Sequence, residues 1–571
     1  MESNAFDINN SFTRRLIEEH VFSRIAERDT SLFDFSPETA EYAGRYFGWT
    51  HLAADPPVDP GQIAAFAAMV RAEGLRSVVL IGQGGSTQAS MTITRLNALN
   101  NPRVTFKTMD SVSPVYVDKI LRECDPAHTL YIVSSKSGGT VETMLLSRVA
   151  WRYVTERLGN RAARRFVAIT DPDSDLAKRA QGEHWRAVFE GSEDVGGRFS
   201  ALSVFGLLNA ALVGIDIIEL LEEAAAFEQV CSSDSPDNPA LQLASFLYTN
   251  YSSGRNMFSL VSPQPGRCFG LWVEQLVAES LGKNGKGILP NIEIDASILA
   301  IPRPHRCAVT YAIRPDASFE SDLSRIDPSI PTINFTIPNV SSIASHFIMW
   351  EYAVTACAVL MEVNPFDQPN VQLTKNKVRS LLYTDNNPLG ETRNCVQIPR
   401  HGGLVLESEI TPVCVPDGAR ITSLNEALVA LFSMLEPGDY FSLNAFLPFY
   451  REFRRVPLEE IRHCAAAHLG VVSCLEIGPR YLHSTGQLHK GGSDNGVFLI
   501  MSADETNDIE IPGERFTLGT LAHAQACGDM AALNEKGRRA LRLHLSNNDG
   551  ATLARISAQV CAAICTVASK R

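Results

Sequence analysis

The chain has 571 residues, of which 45% are hydrophobic and 20% are charged, and its net charge is −13 at pH 7. This length exceeds what one hydrophobic core supports, and the negative charge argues against a nucleic-acid-binding surface. We expect no membrane-spanning run and no signal peptide, so the sequence predicts a cytoplasmic protein.

The 12 cysteines are scattered along the chain without a CxxC pair. Most of them, such as Cys357, Cys474 and Cys527, lie in apolar stretches. Such cysteines are more often reduced core thiols than disulfides or metal ligands. We therefore predict no metal site.

Residues 1–74 predict a mostly helical segment, and residues 75–224 predict a first α/β domain. The domain opens with Ser77–Ile81, an uninterrupted apolar run that is typical of parallel strands buried on both faces. Further strands are predicted at Val104–Lys107, Leu130–Val133 and Phe166–Ile169. Strands that alternate with helical patterns indicate a doubly wound parallel sheet, which binds ligands at the carboxyl ends of its strands.

A glycine-rich turn, GQGGST, follows the first predicted strand and contains Gly84, Gly85 and Ser86. It lacks the third glycine of the dinucleotide fingerprint, so it indicates NAD only weakly. A turn that merely needs positive φ angles is the alternative reading.

A second turn, SSKSGGTVET, follows the strand predicted at Leu130–Val133 and precedes a helical pattern. Hydroxyl groups, a lysine and free N–H groups at a helix N-terminus suit an anion such as phosphate. A simple capped turn remains the alternative, and the Walker-A spacing is absent. The candidate phosphate-binding residues are Ser135, Lys136, Ser137, Thr140 and Thr143.

Arg198 lies in EDVGGRFSA, directly before an apolar helix predicted at Val204–Ile215. An arginine after two glycines is often a surface residue. Before a buried helix it can instead project into a cleft and stabilise developing oxyanion charge.

Residues 225–385 predict a second α/β domain, with strands at Met257–Val261, Cys307–Ile313 and Thr332–Ile337. Glu279 ends a helix predicted at Leu271–Ser280, where a functional and a solvated carboxylate are about equally plausible. The segment NPFDQPNVQLTK then starts a helix near Pro369, with Gln368 at its cap and Lys375 two turns further on.

A C-terminal α/β domain is predicted over residues 390–571, after a linker at 386–391. Its strands are predicted at Tyr440–Ala445, Val471–Ile477 and Gly496–Met501, and its helices at Leu424–Met434 and Leu458–His468. HSTGQLHKGG is predicted to be a polar loop between strands. Its histidines, His483 and His489, favour a functional role over a plain surface loop.

Together, four motifs resemble phosphoglucose isomerase, the glucose-6-phosphate isomerase family. SSKSGGTVET resembles the family's phosphate loop, EDVGGRFSALSVFG and NPFDQPNVQLTK resemble its two signatures, and WVEQLVAESLGKNGKG resembles the segment with its catalytic glutamate. The resemblance implies two sugar-isomerase (SIS) lobes. It is closest to the isomerase portion of bacterial transaldolase and phosphoglucose isomerase fusions, of which we expect only the isomerase half here.

The resemblance also implies roles for single residues. Glu279 would transfer the proton between C2 and C1, and Arg198 would stabilise the enediol oxygens. The phosphate would be bound by the hydroxyl-rich turn, with Gly84, Gly85 and Ser86 lining the same cleft. Gln368 would orient the sugar, and Lys375 would assist ring opening. The resemblance implies no cofactor, and the expected ligand is a sugar phosphate. A homodimer is a possible assembly.

The family places a ring-opening histidine between the glutamate and the FDQ motif. Only His305 and His346 lie in that interval here, outside the expected context. We therefore predict that His489, or else His483, takes this role.

Two other functions stay open from the sequence. One is an isomerase that also accepts mannose 6-phosphate, because one or two side chains decide epimer choice. The other is a non-catalytic sugar-phosphate sensor of the same fold. The presence of Glu279, Arg198 and Lys375 favours the enzyme, since binding alone does not need them.

Overall fold

The computed structural model describes residues 7–100, 102–314, 317–383, 395–400, 403–416, 418–449 and 452–571. The chain divides into two compact units. The first comprises Met1–Asp110 and Ile120–Asp367, and the second comprises Ser111–Lys119 and Gln368–Arg571. The linker expected at 386–391 lies outside the described residues, and the four predicted domain boundaries stay predictions.

The first unit contains a five-stranded, fully parallel sheet with the order β2-β1-β3-β4-β5. The apolar runs that predicted β1 and β3 are almost completely buried, as expected for central strands covered by helices on both faces. Its strands are β1 Ser77–Gly82, β2 Thr105–Met109, β3 Thr129–Ser134, β4 Phe166–Thr170 and β5 Ala187–Glu190.

A second parallel sheet in the same unit has the order β7-β6-β8-β9. Its strands are β6 Met257–Val261, β7 Leu289–Glu293, β8 Arg306–Ile313 and β9 Thr332–Ile337. The sequence analysis missed β7, which contains Pro290. A proline is tolerated there because β7 is an edge strand.

The α-helices between residues 7 and 367 include the N-terminal helices that were predicted. They are α1 Ser11–Glu18, α2 Val21–Ala26, α3 Pro37–Gly44, α4 Pro60–Ala72, α5 Gly85–Asn97, α6 Pro114–Glu123, α7 Val141–Leu158, α8 Asp175–Gly182, α9 Val204–Leu212, α10 Ile217–Cys231, α11 Pro239–Ser252, α12 Arg267–Leu281, α13 Ala317–Leu323 and α14 Ile343–Met361. One continuous apolar core joins residues of both sheets to α9, α11 and α14.

The second unit is built on a mixed sheet with the order β10-β11-β15-β14-β12-β13. Strand β11 is antiparallel to both of its neighbours, and the other pairs are parallel. The elements are β10 Val396–Gln397, β11 Val405–Ile410, β12 Tyr440–Phe446, β13 Val472–Ile477, β14 Gly496–Ala503 and β15 Arg539–Leu545, with α15 Pro369–Tyr383, α16 Leu424–Ser433, α17 Glu452–Leu469, α18 Thr485–Gly491, α19 Leu518–Glu535 and α20 Gly550–Ala568. The predicted α/β class is thus confirmed.

Two helices in the described part of the chain, α14 and α20, are long and apolar enough to cross a membrane by length and composition. Core helices of globular proteins also meet this criterion. Helix α14 has 89% of its apolar window buried, which is typical of a core helix, whereas α20 has 44% of its window buried. The buried face of α20 packs against α17 and α16.

Candidate active site

The two turns singled out in the sequence lie at the same edge of the first sheet. Strands β1 and β3 are adjacent and parallel, and Gly82 pairs with Ser134 at their carboxyl ends. The Ser134 hydroxyl donates a hydrogen bond to the carbonyl oxygen of Ser86 at 3.3 Å. The structure therefore brings the glycine-rich and hydroxyl-rich turns together.

The hydroxyl-rich turn leads into α7 without a side-chain cap. Thr140 occupies the N-cap position, yet its side chain accepts no hydrogen bond from the first-turn N–H groups. Instead, the Ser135 hydroxyl donates to Oγ1 of Thr140 at 3.1 Å. The buried Thr143 hydroxyl has no hydrogen-bond partner within the described residues. This arrangement leaves the N-terminus of an 18-residue helix available to an anion.

Lys136 is hydrogen-bonded to a carboxylate, that of Asp171. Its Nζ donates to Oδ2 of Asp171 at 2.6 Å and to the carbonyl oxygen of Ser192 at 3.0 Å. Burial raises the pKa of Asp171, and the hydrogen bond from Lys136 opposes that rise. A direct contact between Lys136 and phosphate would require this pair to open. Ser137, by contrast, is exposed.

The glycine-rich turn packs closely against the backbone beside Arg198. A Cβ atom on Gly85 would overlap the carbonyl of Gly197 and would lie 2.9 Å from the amide nitrogen of Arg198. Gly84, directly before it, has a φ of 53°. Position 84 favours glycine because of its positive φ, and position 85 because a side chain would not fit, so the turn and Arg198 have a fixed relative position.

Arg198 is buried, with 5% of its surface exposed. Its Nε donates to the Ser280 hydroxyl at 2.9 Å, and Nη1 lies 3.3 Å from Oε2 of Glu279. Its Nη2 donates to the carbonyl oxygens of Pro365 and, at 3.0 Å, Asp367. These bonds hold the guanidinium in one orientation, facing the carboxylate.

Glu279 lies near the C-terminus of α12 and is 6% exposed, so it is not a solvated helix-end carboxylate. Nε2 of Gln275, one helical turn earlier, donates to Glu279 Oε2 at 3.2 Å. The buried Oε1 of Gln275 has no partner within the described residues. The two predicted catalytic residues of the first unit, Arg198 and Glu279, therefore form a buried pair.

Lys283 is a site residue to which the sequence analysis gave no role. Its Nζ donates to the carbonyl oxygens of Asn364 and Asp367 and, at 2.6 Å, to Oδ1 of Asp367. Burial lowers its pKa to about 7, opposed by the charge of Asp367 and reinforced by that of Arg198. The signal in the sequence was a lysine just beyond the glutamate helix, in a glycine-rich segment.

Gln368 and Lys375 belong to the second unit and are both exposed. Gln368 directly follows Asp367, and Lys375 lies on α15, as its position after Pro369 predicted. Their roles in orienting the sugar and opening the ring stay predictions.

The predicted polar loop at 483–492 is wrong, because this segment is helical. A 3₁₀ turn ends at His483 and α18 follows at once. His489 is only 1% exposed, and its ring centroid lies 4.9 Å from that of Phe498 and 6.0 and 6.1 Å from those of two tyrosines. Burial, helped by the charges of Lys490 and Arg538, holds the pKa of His489 well below its usual range. The half-buried His483 is therefore the better candidate for ring opening, which stays a prediction.

The two histidines of the expected interval lie in the first unit, outside the strands of its second sheet. His305 precedes β8, and its Nδ1 lies 3.0 Å from the carbonyl oxygen of Gly254. His346 lies on α14 beside the hydroxyl of Tyr311, and burial lowers its pKa to about 4.

Comparison with known proteins finds similarity to one enzyme family. Residues 67–296 match the family model described as phosphoglucose isomerase. A glucose-6-phosphate isomerase of Symbiobacterium thermophilum is 28% identical over 358 residues, which cover 53% of this chain and 80% of the relative. One from Mycoplasmopsis pulmonis is 28% identical over 433 residues, which cover 66% of this chain and 98% of the relative.

The fold is also similar to that of a solved structure, a hypothetical protein from Thermus thermophilus. The match has a TM-score of 0.55 and 24% sequence identity, and it covers 66% of this chain and 97% of the other. The family match spans the hydroxyl-rich turn, Arg198 and Glu279, and over this range the chain is similar to the phosphoglucose isomerase family.

Proposed function

We propose that this chain interconverts glucose 6-phosphate and fructose 6-phosphate, a step of glycolysis and gluconeogenesis. The observation that carries the proposal is the buried pair of Glu279 and Arg198, 3.3 Å apart, beside a turn suited to an anion. An aldose–ketose isomerase needs a base for the carbon-bound proton and a cation for the charge that develops on oxygen. Both groups are present in one place.

In this mechanism Glu279 removes the proton from C2 of glucose 6-phosphate and returns it to C1 through a cis-enediol. As the proton moves to the carboxylate, negative charge develops on the sugar oxygens. The Arg198 guanidinium then exchanges part of its interaction with Glu279 for one with those oxygens. Because both groups are almost fully buried, this electrostatic stabilisation is stronger than it would be in water. A second proton moves from O2 to O1 as the enediol forms and collapses, so the reaction transfers protons only and needs no redox cofactor.

The phosphate group would be bound by the N-terminus of α7 and the hydroxyls of Ser135, Thr140 and Thr143. This assignment is supported by the absence of a side-chain cap on α7 and by the unpartnered hydroxyl of Thr143 among the described residues. Gln368 would orient the sugar, and Lys375 with His483 would assist ring opening.

A sensor without catalysis is not favoured, because sugar-phosphate binding alone does not require a buried carboxylate beside a guanidinium. The proposal also includes a cytoplasmic location and a homodimer. Acceptance of mannose 6-phosphate is a second activity, which an assay that starts from mannose 6-phosphate can measure.

A coupled assay of glucose 6-phosphate formation from fructose 6-phosphate tests the proposal. In deuterium oxide, the product should acquire deuterium at C2, because the proton on Glu279 exchanges with solvent. Saturable binding of fructose 6-phosphate without turnover would instead identify a sensor. Omission of the chain and the Glu279→Gln variant are the controls.

A further inference from the structure

Helices α17 and α20 of the second unit lie side by side and run in the same direction. The Ser557 hydroxyl donates to Glu460 at 3.3 Å, and the Cys464 thiol donates to the carbonyl oxygen of Cys561 at 3.9 Å, both across a separation of 97 residues. A constant separation means that each turn of one helix faces the corresponding turn of the other. The next such pair along the two helices is His468 and Cys565.

This alignment brings two i,i+4 pairs together, one from each helix. Cys464 and His468 lie one turn apart on α17, and Cys561 and Cys565 lie one turn apart on α20. Residues with this spacing point from the same face of a helix. The thiols of Cys464 and Cys565 and the imidazole of His468 have ligand atoms within 4.8 Å of one another.

We propose that Cys464, His468 and Cys565 bind a zinc ion, with Cys561 as the fourth ligand. Three thiolates and one imidazole form a common structural zinc set, with Zn–S of about 2.3 Å and Zn–N of about 2.0 Å. Such distances place tetrahedral ligand atoms roughly 3.5 to 3.8 Å apart, so closure by about 1 Å would bring the three clustered ligand atoms to this spacing. A rotamer change that releases the Cys561 thiol from the Glu460 carbonyl oxygen would add the fourth ligand.

Zinc binding would release the thiol protons of its ligands, because a coordinating thiol is deprotonated by the metal charge. The metal would join two helices that flank the same sheet.

The sequence analysis expected core thiols here, and two features explain the difference. The cysteines follow a CxxxH and a CxxxC spacing on separate helices, whereas CxxC was the pattern sought. Cys565 and His468 are also exposed, which leaves a path for the ion.

The test uses the full chain, freed of metal by a chelator and kept under reducing conditions. Cobalt(II) added to it should produce a sulfur-to-cobalt charge-transfer band and visible bands of tetrahedral geometry, and one equivalent of zinc should abolish both. Competition with a chromophoric chelator then gives the zinc affinity. Zinc should also raise the unfolding temperature.

The matched variants are Cys565→Ser and His468→Gln, which change exposed side chains and should leave folding intact. Each should weaken zinc binding more than about 100-fold, the upper end of what loss of an outer-shell partner costs. The control is Cys395→Ser, a half-buried cysteine of the same unit outside the cluster, which should bind zinc like the parent. Absence of the cobalt bands in the parent, or equal zinc affinity in all variants, would overturn the proposal. So would a Cys464–Cys565 disulfide that forms while zinc is present.

Discussion

Nη1 of Arg198 lies 3.3 Å from Oε2 of Glu279, and neither side chain is more than 8% exposed. Arg198 keeps three other acceptors, on Ser280, Pro365 and Asp367. The guanidinium therefore stays in place when the carboxylate gains a proton. A cation held by other bonds can stabilise a transition state without reorganising, which is the property that electrostatic catalysis needs.

The Glu279→Gln variant should lose isomerase activity by about 10² to 10⁴ in kcat, because the amide keeps the shape of the side chain and loses the base. Sugar-phosphate affinity should stay within a few-fold of the parent. Steady-state kinetics and calorimetric binding of the substrate give the two values. Glu362→Gln, at an exposed helix end, is the control. More than half of the parent activity would remove Glu279 from the role of base.

Thr140→Ala and Ser135→Ala should mainly raise KM, because contacts with the phosphate persist from the ground state to the transition state. Loss of one charge-assisted hydrogen bond should cost about 1.5 to 3 kcal/mol, or roughly 10- to 150-fold in affinity. Binding of inorganic phosphate as a competitive inhibitor measures the effect directly. Thr155→Ala, exposed near the other end of α7, is the control. Unchanged phosphate affinity would exclude this turn as the site.

Gly85→Ala should reduce both stability and kcat. The added methyl group has no room beside Gly197 and must displace the backbone that carries Arg198. Overpacking of this kind typically costs about 1 to 3 kcal/mol of unfolding free energy. Urea denaturation and kinetics check the two effects. The matched control is Gly182→Ala, where a Cβ has no neighbour within 4 Å. A fully active, fully stable variant would contradict the close approach.

His489→Phe should retain isomerase activity and should remove part of the acid sensitivity of the chain. The folded-state pKa of His489 is depressed, so the unfolded chain binds more protons once the pH falls below about 6.5. Its contribution to stability is present above that pH and is lost below it. Urea unfolding at pH 8 and pH 5 should therefore show a smaller difference in the variant than in the parent. Loss of activity on cyclic substrate alone would restore His489 as the ring-opening group.

Apolar runs in the sequence predicted the central strands. Strands β1, β3 and β6 are mostly apolar, and the observed bounds of these strands and of the edge strand β9 lie close to those predicted. Strand β15 was missed because Arg539, Arg542 and His544 interrupt its apolar pattern. Arg542 is paired with Glu407 and Glu409 of β11, a long-range contact that no local pattern reveals.

The residues of the candidate site also divide into those that a local motif predicts and those that it does not. Local motifs singled out Glu279, Arg198 and the hydroxyl-rich turn as candidates, because each lies in a recognisable sequence pattern. Lys283 and Gln275 were not assigned roles, since their contribution depends on burial and on partners far away in the chain. The prediction for 483–492 was wrong because glycines and histidines suggested a loop, whereas packing of Leu488 and His489 into the core stabilises a helix.

The depressed pKa of Lys283 has a consequence for the energetics of binding. Its pKa of about 7 lies near neutral pH, with Arg198, Asp367 and Glu279 as its charged neighbours. A bound sugar phosphate or enediolate adds negative charge and favours the ammonium form. Binding would then be accompanied by proton uptake from solvent, and the measured heat would depend on the ionisation enthalpy of the buffer. Substrate affinity would fall as the pH rises above about 7, because the ammonium form of Lys283 is lost.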